Sequence, residues 1–199
     1  VDKYSRTGAN TVHFGAMEVG TGCGTDYTKP IFKMTGREGM DPDLLGIFID
    51  EFHKHDIRVI IYFNGHSIIP QFYQDHPDWV QVYEDGTPAL DIYGTGSSAC
   101  PSNPQFKKWQ ADIIRDFCNY DIDGVFLDGD IFFQRTCFCH ACKEKFKAKY
   151  GFELPSKQDR LHPNWRYLRE FQIDSLTEYV GYLNDALKEK RPQSLLYCN

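Results

Sequence analysis

The chain has 199 residues, of which 41 % are hydrophobic and 25 % charged, as in ordinary globular proteins. The formal net charge is −6 and no run of Lys and Arg occurs. Nucleic acids and anionic membranes are therefore not expected as partners. No apolar run approaches the ~18 residues that a membrane-spanning helix needs.

Short β-branched or aromatic segments alternate with longer amphipathic ones along the chain. The pattern predicts strands at 10–14, 58–63, 123–128 and 194–198, with a further short strand around 89–93 in an otherwise loop-like region at 64–103. It predicts helices that begin at Asp41-Pro42 and at Pro104, a helical segment that ends near Tyr150, and a long helix over Trp165–Lys190.

This alternation predicts an α/β fold with parallel strands and helices outside them. A doubly wound sheet is the alternative, but no Gly-x-Gly-x-x-Gly fingerprint follows any strand, and the long polar loops after the strands favour a (β/α)8 TIM barrel. Such a barrel usually needs ~250 residues. We therefore expect residues 1–199 to form a partial catalytic barrel that lacks the later strands and the first strand.

Asp128 is the main candidate for catalysis, because it closes the predicted strand at 123–128. Acidic residues at the carboxyl ends of barrel strands face the mouth, where catalysis takes place in this fold. Glycoside hydrolysis uses a pair of carboxyl groups, and Asp128 is our candidate for the first. The alternative is a structural aspartate that caps the turn or pairs with an Arg.

The second carboxylate is less evident. Glu18 follows the first predicted strand by a few residues and is our candidate, with Asp26 and Asp91 as further choices. A solvated or structural role is the alternative for each of them, and in many barrels the partner acid comes from later strands.

Polar and aromatic residues after the second strand are candidates for sugar binding. Asn64 and His66 offer donors and acceptors for hydroxyl groups, or they belong to an Asn-Gly turn. Tyr62 and Trp79 offer rings that stack on sugars, with core packing as the alternative. Asp130 is a further candidate for substrate binding, and the alternative is that it caps the turn or orients its neighbour Asp128. His13 lies within the first strand, where a buried, hydrogen-bonded histidine is expected.

Seven cysteines occur, and three of them form the motif Cys137-x-Cys139-x-x-Cys142. Three thiolates at this spacing indicate a metal cluster, and tetrahedral zinc needs a fourth ligand. Cys100 is the expected fourth ligand and His140 the alternative. A site made of four thiolates has no open position, so its zinc would be structural. Uncoordinated thiols or a local disulfide are the alternatives.

Two sets of residues resemble known families. The first resembles the zinc cluster of the barrel β-galactosidases and consists of Ala99-Cys100-Pro101-Ser102-Asn103-Pro104, the segment from Cys137 to Phe146, and Tyr150-Gly151. This resemblance implies Cys100, Cys137, Cys139 and Cys142 as the zinc ligands.

The end of the fourth strand departs from that family. The β-galactosidases have an Asn-Glu pair there, whereas this chain has Leu127-Asp128-Gly129-Asp130. That sequence is similar to the α-L-fucosidases and to the sixth of the hypothetical glycosyl hydrolase-like families, as are the Gly-Ala-Asn-Thr-Val opening, the His-Pro-Asp-Trp loop and the segment Tyr-Gly-Phe-Glu-Leu-Pro. The fucosidase resemblance implies Asp128 as the nucleophile of a retaining mechanism.

The sequence therefore predicts a retaining glycoside hydrolase that acts on a galactoside or fucoside type of carbohydrate and carries a structural zinc. A non-catalytic carbohydrate-binding or scaffold barrel is the alternative. The sequence does not predict whether the protein forms a homo-oligomer. It does not fix the cellular compartment either, although a cluster of reduced cysteines slightly favours the cytoplasm.

Overall fold

The computed structural model describes residues 1–17, 44–65, 67–68, 70–90, 97–129, 132–156 and 160–199. The chain divides into two compact units. The first, called the sheet unit, comprises Val1–Gly65, Trp109–Gly129 and Leu183–Asn199. The second, called the cysteine unit, comprises His66–Lys108 and Asp130–Tyr182.

Helices and strands alternate along the chain. In order they are α1 (Asp2–Ser5), β1 (Thr11–Met17), α2 (Leu44–His53), β2 (Arg58–Asn64), β3 (Ser67–Ile68), α3 (Pro70–Asp75), a 3-10 turn (Pro77–Trp79), β4 (Ser97–Ser98), α4 (Pro104–Phe117), β5 (Gly124–Asp128), α5 (His140–Tyr150), α6 (Trp165–Lys190) and β6 (Leu195–Cys198). None of the helices in the described part of the chain is long and apolar enough to cross a membrane.

The sheet unit is built on four parallel strands in the order β1-β2-β5-β6. Consecutive side chains of a strand point to opposite faces, and one face of this sheet carries Val59, Ile61, Phe63, Val125 and Leu127, all with no exposed surface. Helical side chains of the same unit are buried with them, and the ring of Phe63 contacts that of Phe117 at 5.6 Å. The apolar core of the sheet unit lies on this face.

Gly124 allows a close approach between β5 and β6. A Cβ atom at this position would lie 2.5 Å from the carbonyl oxygen of Leu195 and 2.9 Å from Cδ1 of Ile60. Any larger side chain would push the two strands apart, so glycine is required by the register of the sheet.

The cysteine unit contains the short antiparallel pair β3-β4, helices α3 and α5, and parts of α4 and α6. Asn103 caps α4, because its Oδ1 accepts the backbone N–H groups of Gln105 at 2.9 Å and Phe106 at 3.0 Å. Gly151 ends α5 with a φ of 78° and donates its N–H to the carbonyl of Lys147 at 2.8 Å.

The predicted strands and helices agree with these elements, apart from the region 64–103 and from the short helix α1, which was not predicted. A strand around 89–93 was expected, but Ala89 and Leu90 belong to no strand, and residues 91–96 lie outside the described residues. The region contains instead β3, α3, the 3-10 turn, β4 and two isolated bridges, Val80–Ala99 and Val82–Pro88. The strands β3 and β4 and the 3-10 turn have only two or three residues and α3 has six, so all are too short to show a clear hydrophobic period. The expected helix start at Asp41-Pro42 also lies outside the described residues.

Candidate active site and candidate metal centre

Asp128 lies at the carboxyl edge of the parallel sheet, where β5 ends. It is paired in register with Asn64, the last residue of β2, and both side chains are half-buried. Because the strands are parallel and in register, Asn64 and Asp128 lie on the same face of the sheet. The structure thus brings together three of the predicted site residues: Asp128, Asn64 and Tyr62, whose hydroxyl contacts the Asp128 carboxylate.

Two side chains hold the carboxylate of Asp128. The Tyr62 hydroxyl donates a short hydrogen bond to Oδ2, and the Asn199 amide Nδ2 donates to Oδ1 at 2.9 Å. Asn199 is itself oriented by the backbone N–H of Gly129, which donates to its Oδ1 at 3.1 Å. Donors from β2 and from the residue after β6 therefore fix the carboxylate in one orientation.

An aromatic layer lies on the same face of the sheet, toward the amino ends of the strands. The Phe126 ring stacks on His13 at 5.3 Å and on Tyr197 at 5.0 Å, and it meets the Tyr62 ring edge-on at 5.8 Å. His13 is exposed and forms a hydrogen bond with the Tyr197 hydroxyl. His13 is therefore hydrogen-bonded as expected but is exposed and not buried, because it lies on the sheet face opposite to the one that carries the apolar core.

Four cysteines meet in the cysteine unit. The sulfur atoms of Cys100, Cys137, Cys139 and Cys142 all lie within 4.8 Å of one another, and all four side chains are buried. Cys100 Sγ is 3.5 Å from Cys142 Sγ and 3.6 Å from Cys139 Sγ.

These distances fit a tetrahedral thiolate site. A disulfide needs a sulfur–sulfur distance of about 2.05 Å, so the cysteines are free thiols. Four sulfurs each about 2.3 Å from one zinc ion would be about 3.8 Å apart, close to the spacing seen here. His140, the alternative ligand, has 88 % of its side chain exposed and lies beside Glu144. The donor set that fits zinc is therefore the four cysteines.

The surroundings of the thiols differ from one cysteine to the next. Burial raises the pKa of the Cys100 thiol well above its usual value, whereas hydrogen bonds from Cys100 and Cys137 lower the pKa of Cys139. Cys139 is the N-cap of α5 and Cys142 lies in its first turn, where the helix dipole favours negative charge.

A shell of aromatic side chains surrounds the four cysteines. Phe146 and Phe171 are buried against the sulfur atoms, with further partly buried side chains around them: Val82, Phe132, Ala141, Tyr150, Phe152, Leu154 and Tyr167. The Val82 N–H donates to Cys137 Sγ at 3.4 Å. The four sulfur atoms therefore lie in a closed, apolar setting.

Trp79 lies in the core of the cysteine unit. It is 5 % exposed, stacks on His76 at 4.1 Å between ring centroids, and contacts Phe106. Its indole Nε1 donates to Gln105 at 3.3 Å. The packing alternative accounts for all of these contacts. The other expected site residues, Glu18, His66 and Asp130, lie outside the described residues.

Two polar residues that organise these sites were not found by sequence reasoning. Asn199 follows β6 by one residue, which is the same position relative to a strand that made other residues candidates. Gln81 is fully buried; its Nε2 donates to the Ala99 carbonyl at 2.8 Å and its Oε1 accepts the Phe133 N–H at 2.9 Å. A lone glutamine in a loop carries no pattern that would reveal such a role.

Comparison with known proteins agrees with this architecture. The fold is that of the TIM-barrel glycosidases, of which this chain corresponds to a part. The chain belongs to the family described as Hypothetical glycosyl hydrolase 6, whose model matches residues 1–129. No curated protein matches the chain significantly.

Solved structures share the fold at low sequence identity. The β-galactosidase from the Antarctic haloarchaeon Halorubrum lacusprofundi gives a TM-score of 0.73 at 16 % identity, covering 98 % of this chain and 33 % of that one. The β-galactosidase from the psychrophilic Marinomonas ef1 gives 0.72 at 14 % identity, covering 100 % and 34 %. The α-L-fucosidase isoenzyme 2 from Paenibacillus thiaminolyticus gives 0.61 at 22 % identity, covering 81 % and 23 %.

The chain thus spans between 23 % and 34 % of the length of these structures. The prediction of an α/β chain that forms part of a (β/α)8 barrel is confirmed.

Proposed function

We propose that this protein is a retaining glycoside hydrolase with Asp128 as its nucleophile. The observation that carries the proposal is the position of Asp128 at the carboxyl edge of a parallel barrel sheet, fixed by Tyr62 and Asn199. Membership of a glycosyl hydrolase-like family and the fold shared with galactosidases and a fucosidase support it.

The proposed reaction has two steps. An Asp128 oxygen attacks the anomeric carbon and forms a glycosyl ester, while the glycosidic C–O bond breaks and an acid protonates the departing oxygen. Water then attacks the anomeric carbon, the same acid group takes its proton as a base, and the carboxylate of Asp128 is released. Glu18 is our candidate in this chain for the acid/base, and Asn64 and His66 are our candidates for binding sugar hydroxyls.

Asp128→Asn tests the nucleophile. Turnover of aryl fucosides or aryl galactosides should fall about a thousandfold or more, because an amide cannot form the glycosyl ester. In Asp128→Ala, added azide should restore turnover and yield a glycosyl azide, since the small anion takes the place of the missing carboxylate.

Asp121→Asn is the matched control, because Asp121 is 70 % exposed and precedes β5 at the opposite end of that strand. Its turnover should equal that of the wild type. Unchanged activity in Asp128→Asn would reject the assignment, and sugar binding without any turnover in the wild type would favour a non-catalytic carbohydrate-binding barrel.

We further propose that Cys100, Cys137, Cys139 and Cys142 bind one structural zinc ion. Zinc would supply a cross-link between the Cys100 loop and the start of α5, and four thiolates would leave no position for a reacting water. Native mass spectrometry should show one bound zinc per chain. A zinc-free protein with four reactive thiols would contradict the proposal.

A further inference from the structure

The cysteine unit contains a cleft of about 490 Å³ whose described lining carries an unusual charge. Three arginines line it, Arg135, Arg160 and Arg169, and no Asp or Glu does so among the described lining residues. The chain as a whole has a net charge of −6 and only nine arginines. One third of its guanidinium groups therefore line one cleft, so the cleft is positively charged although the protein as a whole is negatively charged.

The loop that presents Arg135 is anchored from inside. The Thr136 hydroxyl donates to the Phe133 carbonyl at 2.7 Å and also contacts Gln81 Oε1, which accepts the Phe133 N–H at 2.9 Å. Thr136 and Gln81 have no exposed surface. Arg135 itself has a φ of 62°, a left-handed conformation that a long side chain rarely adopts. Such a backbone persists where its surroundings determine it, and functional loops are where it is commonly found.

The opposite side of the cleft is a rigid helix. Trp165, Arg169 and Gln172 lie on α6, and the Arg169 guanidinium lies 6.0 Å from the centre of the Trp165 ring. Arg169 also donates from Nη1 to Gln172 Oε1 at 3.1 Å. These contacts hold one guanidinium over an aromatic ring within the cleft.

The combination of groups defines the chemistry of a ligand. Arginine, unlike lysine, presents a planar fork of N–H donors that matches the two oxygens of a carboxylate. An indole ring and amide groups add a stacking surface and hydrogen-bond partners of the kind that a sugar ring uses. The volume lies within the range of about 300–1,000 Å³ that is typical of small-molecule sites.

We propose that this cleft binds the carboxylate of an acidic saccharide, with Arg135 and Arg169 as its main anion-binding groups. The choice of a saccharide rests on the proposed glycosidase function, whereas the binding of an oxyanion rests on the arginines alone. The cleft lies wholly within the cysteine unit, and the ligand class that we propose for it is glycans that contain uronic acid.

Isothermal titration calorimetry with trigalacturonate tests the proposal. The acidic trisaccharide should bind at low ionic strength and bind more weakly as salt is added, since part of its affinity is electrostatic. Arg135→Gln and Arg169→Gln should each weaken binding about tenfold or more, the effect of losing one charge-assisted contact. The methyl ester of trigalacturonate, which lacks the charge, should bind to neither variant nor wild type.

Arg166→Gln is the matched control, because Arg166 lies on the same helix, contacts Tyr167 at 2.6 Å and does not line the cleft. It should bind trigalacturonate like the wild type. Equal weakening by Arg166→Gln, or no binding to the wild type, would overturn the proposal. Inorganic sulfate that binds as tightly as trigalacturonate would overturn its saccharide part.

Measuring the same titration on Asp128→Asn separates this proposal from the proposed function. Retained binding with lost turnover supports both proposals. Turnover of neutral aryl glycosides by a protein that does not bind trigalacturonate would overturn the acidic-saccharide site alone.

Discussion

The carboxylate of Asp128 and the four sulfur atoms of the cysteine unit are held in opposite ways. Asp128 is half-buried at an edge of the sheet and is oriented by two side-chain donors, Tyr62 and Asn199. The cysteine sulfurs are buried behind aromatic rings and contact mainly one another. A side chain that reacts with a substrate must be held in one orientation and must be accessible to that substrate. Side chains that cross-link the chain through a metal ion are best buried away from water.

From this difference we infer a chemical role for Asp128 and a structural role for the four cysteines. An exposed edge with fixed donors allows a covalent step to occur at little cost in reorganisation. Zinc bound by the four thiolates, as proposed, should stabilise the fold, because the geometry of the site exists only when the chain is folded. Mutations should therefore affect turnover at the first site and stability at the second.

Cys139→Ser should have the largest effect on stability. We expect the free energy of unfolding to fall by about 3–5 kcal/mol, because the change removes a ligand and places a hydroxyl without the same coordination in a closed apolar site. Bound zinc should be lost at the same time. Thermal unfolding with and without a chelator, together with metal analysis, measures both effects.

Cys118→Ser provides the control for Cys139→Ser. Cys118 is also buried, at 6 % exposure, but it lies in the sheet unit and outside the cysteine cluster. Its replacement should cost only about 1 kcal/mol and leave the chelator effect unchanged. Equal destabilisation by the two changes, with no chelator effect in the wild type, would mean that the cluster is a set of packed thiols.

The two regions also differ in how far the sequence predicts them. Three members of the cysteine cluster are visible in the sequence as the spacing Cys-x-Cys-x-x-Cys, and the tetrahedral coordination of zinc predicts a fourth ligand. The sheet is visible as apolar runs, and the bounds of α4 and α6 follow from Pro104, from the apolar stripes and from the basic residues at the end of α6. Such local patterns predict the structure well because they reflect contacts between residues that are close in sequence.

Contacts between distant residues could not be predicted in this way. The partners of Asp128 come from positions 66 and 71 residues away. The sequence predicts Tyr62 only as a ring that stacks on sugars, and the position of Asn199 just after a strand does not identify Asp128 as its partner. His13 was assigned to the core for the same reason, because alternation shows that a strand has two faces but not which of them the helices cover. The strand register determines which residues lie beside Asp128, and the arrangement of the helices on the sheet determines whether His13 is buried.

Tyr62→Phe should lower turnover without lowering stability to a comparable degree. Removing the hydroxyl frees one carboxylate oxygen of Asp128 from its donor, so we expect kcat to fall about tenfold while KM changes little. The ring remains to pack against Phe126. Steady-state kinetics on an aryl glycoside would measure the two constants separately.

Tyr197→Phe is the control for this second prediction. It removes a hydroxyl from the same face of the sheet, but one that is bonded to His13 and not to the carboxylate. Its kcat should stay near that of the wild type. An equal fall in kcat in both variants would show that the two hydroxyls affect only the packing of side chains on this face of the sheet. The positioning role of Tyr62 would then be rejected.

Glu178→Gln should have the smallest effect, because it probes a surface contribution to the stability of the cysteine unit. Glu178 on α6 binds Lys107 of α4 at 2.6 Å and Lys145 of α5 at 2.7 Å, and these hydrogen bonds lower its pKa to about 2. Since its side chain is 52 % exposed, we expect a loss of less than about 1 kcal/mol at neutral pH.

The stability difference between the wild type and Glu178→Gln should depend on pH in a definite direction. The pKa of Glu178 is lower in the folded state than its usual value of 4.5, so its stabilisation is complete above pH 4.5 and is lost as the pH falls toward 2. Urea unfolding at pH 7 and at pH 3 should show a smaller difference between wild type and variant at the lower pH. Glu170→Gln, on the same helix and with only a charge interaction with Arg166 in place of the two lysine contacts, should show a smaller change. If Glu178→Gln destabilised the protein as much as Cys139→Ser, the surface ion pairs and not the cysteine cluster would hold the three helices together.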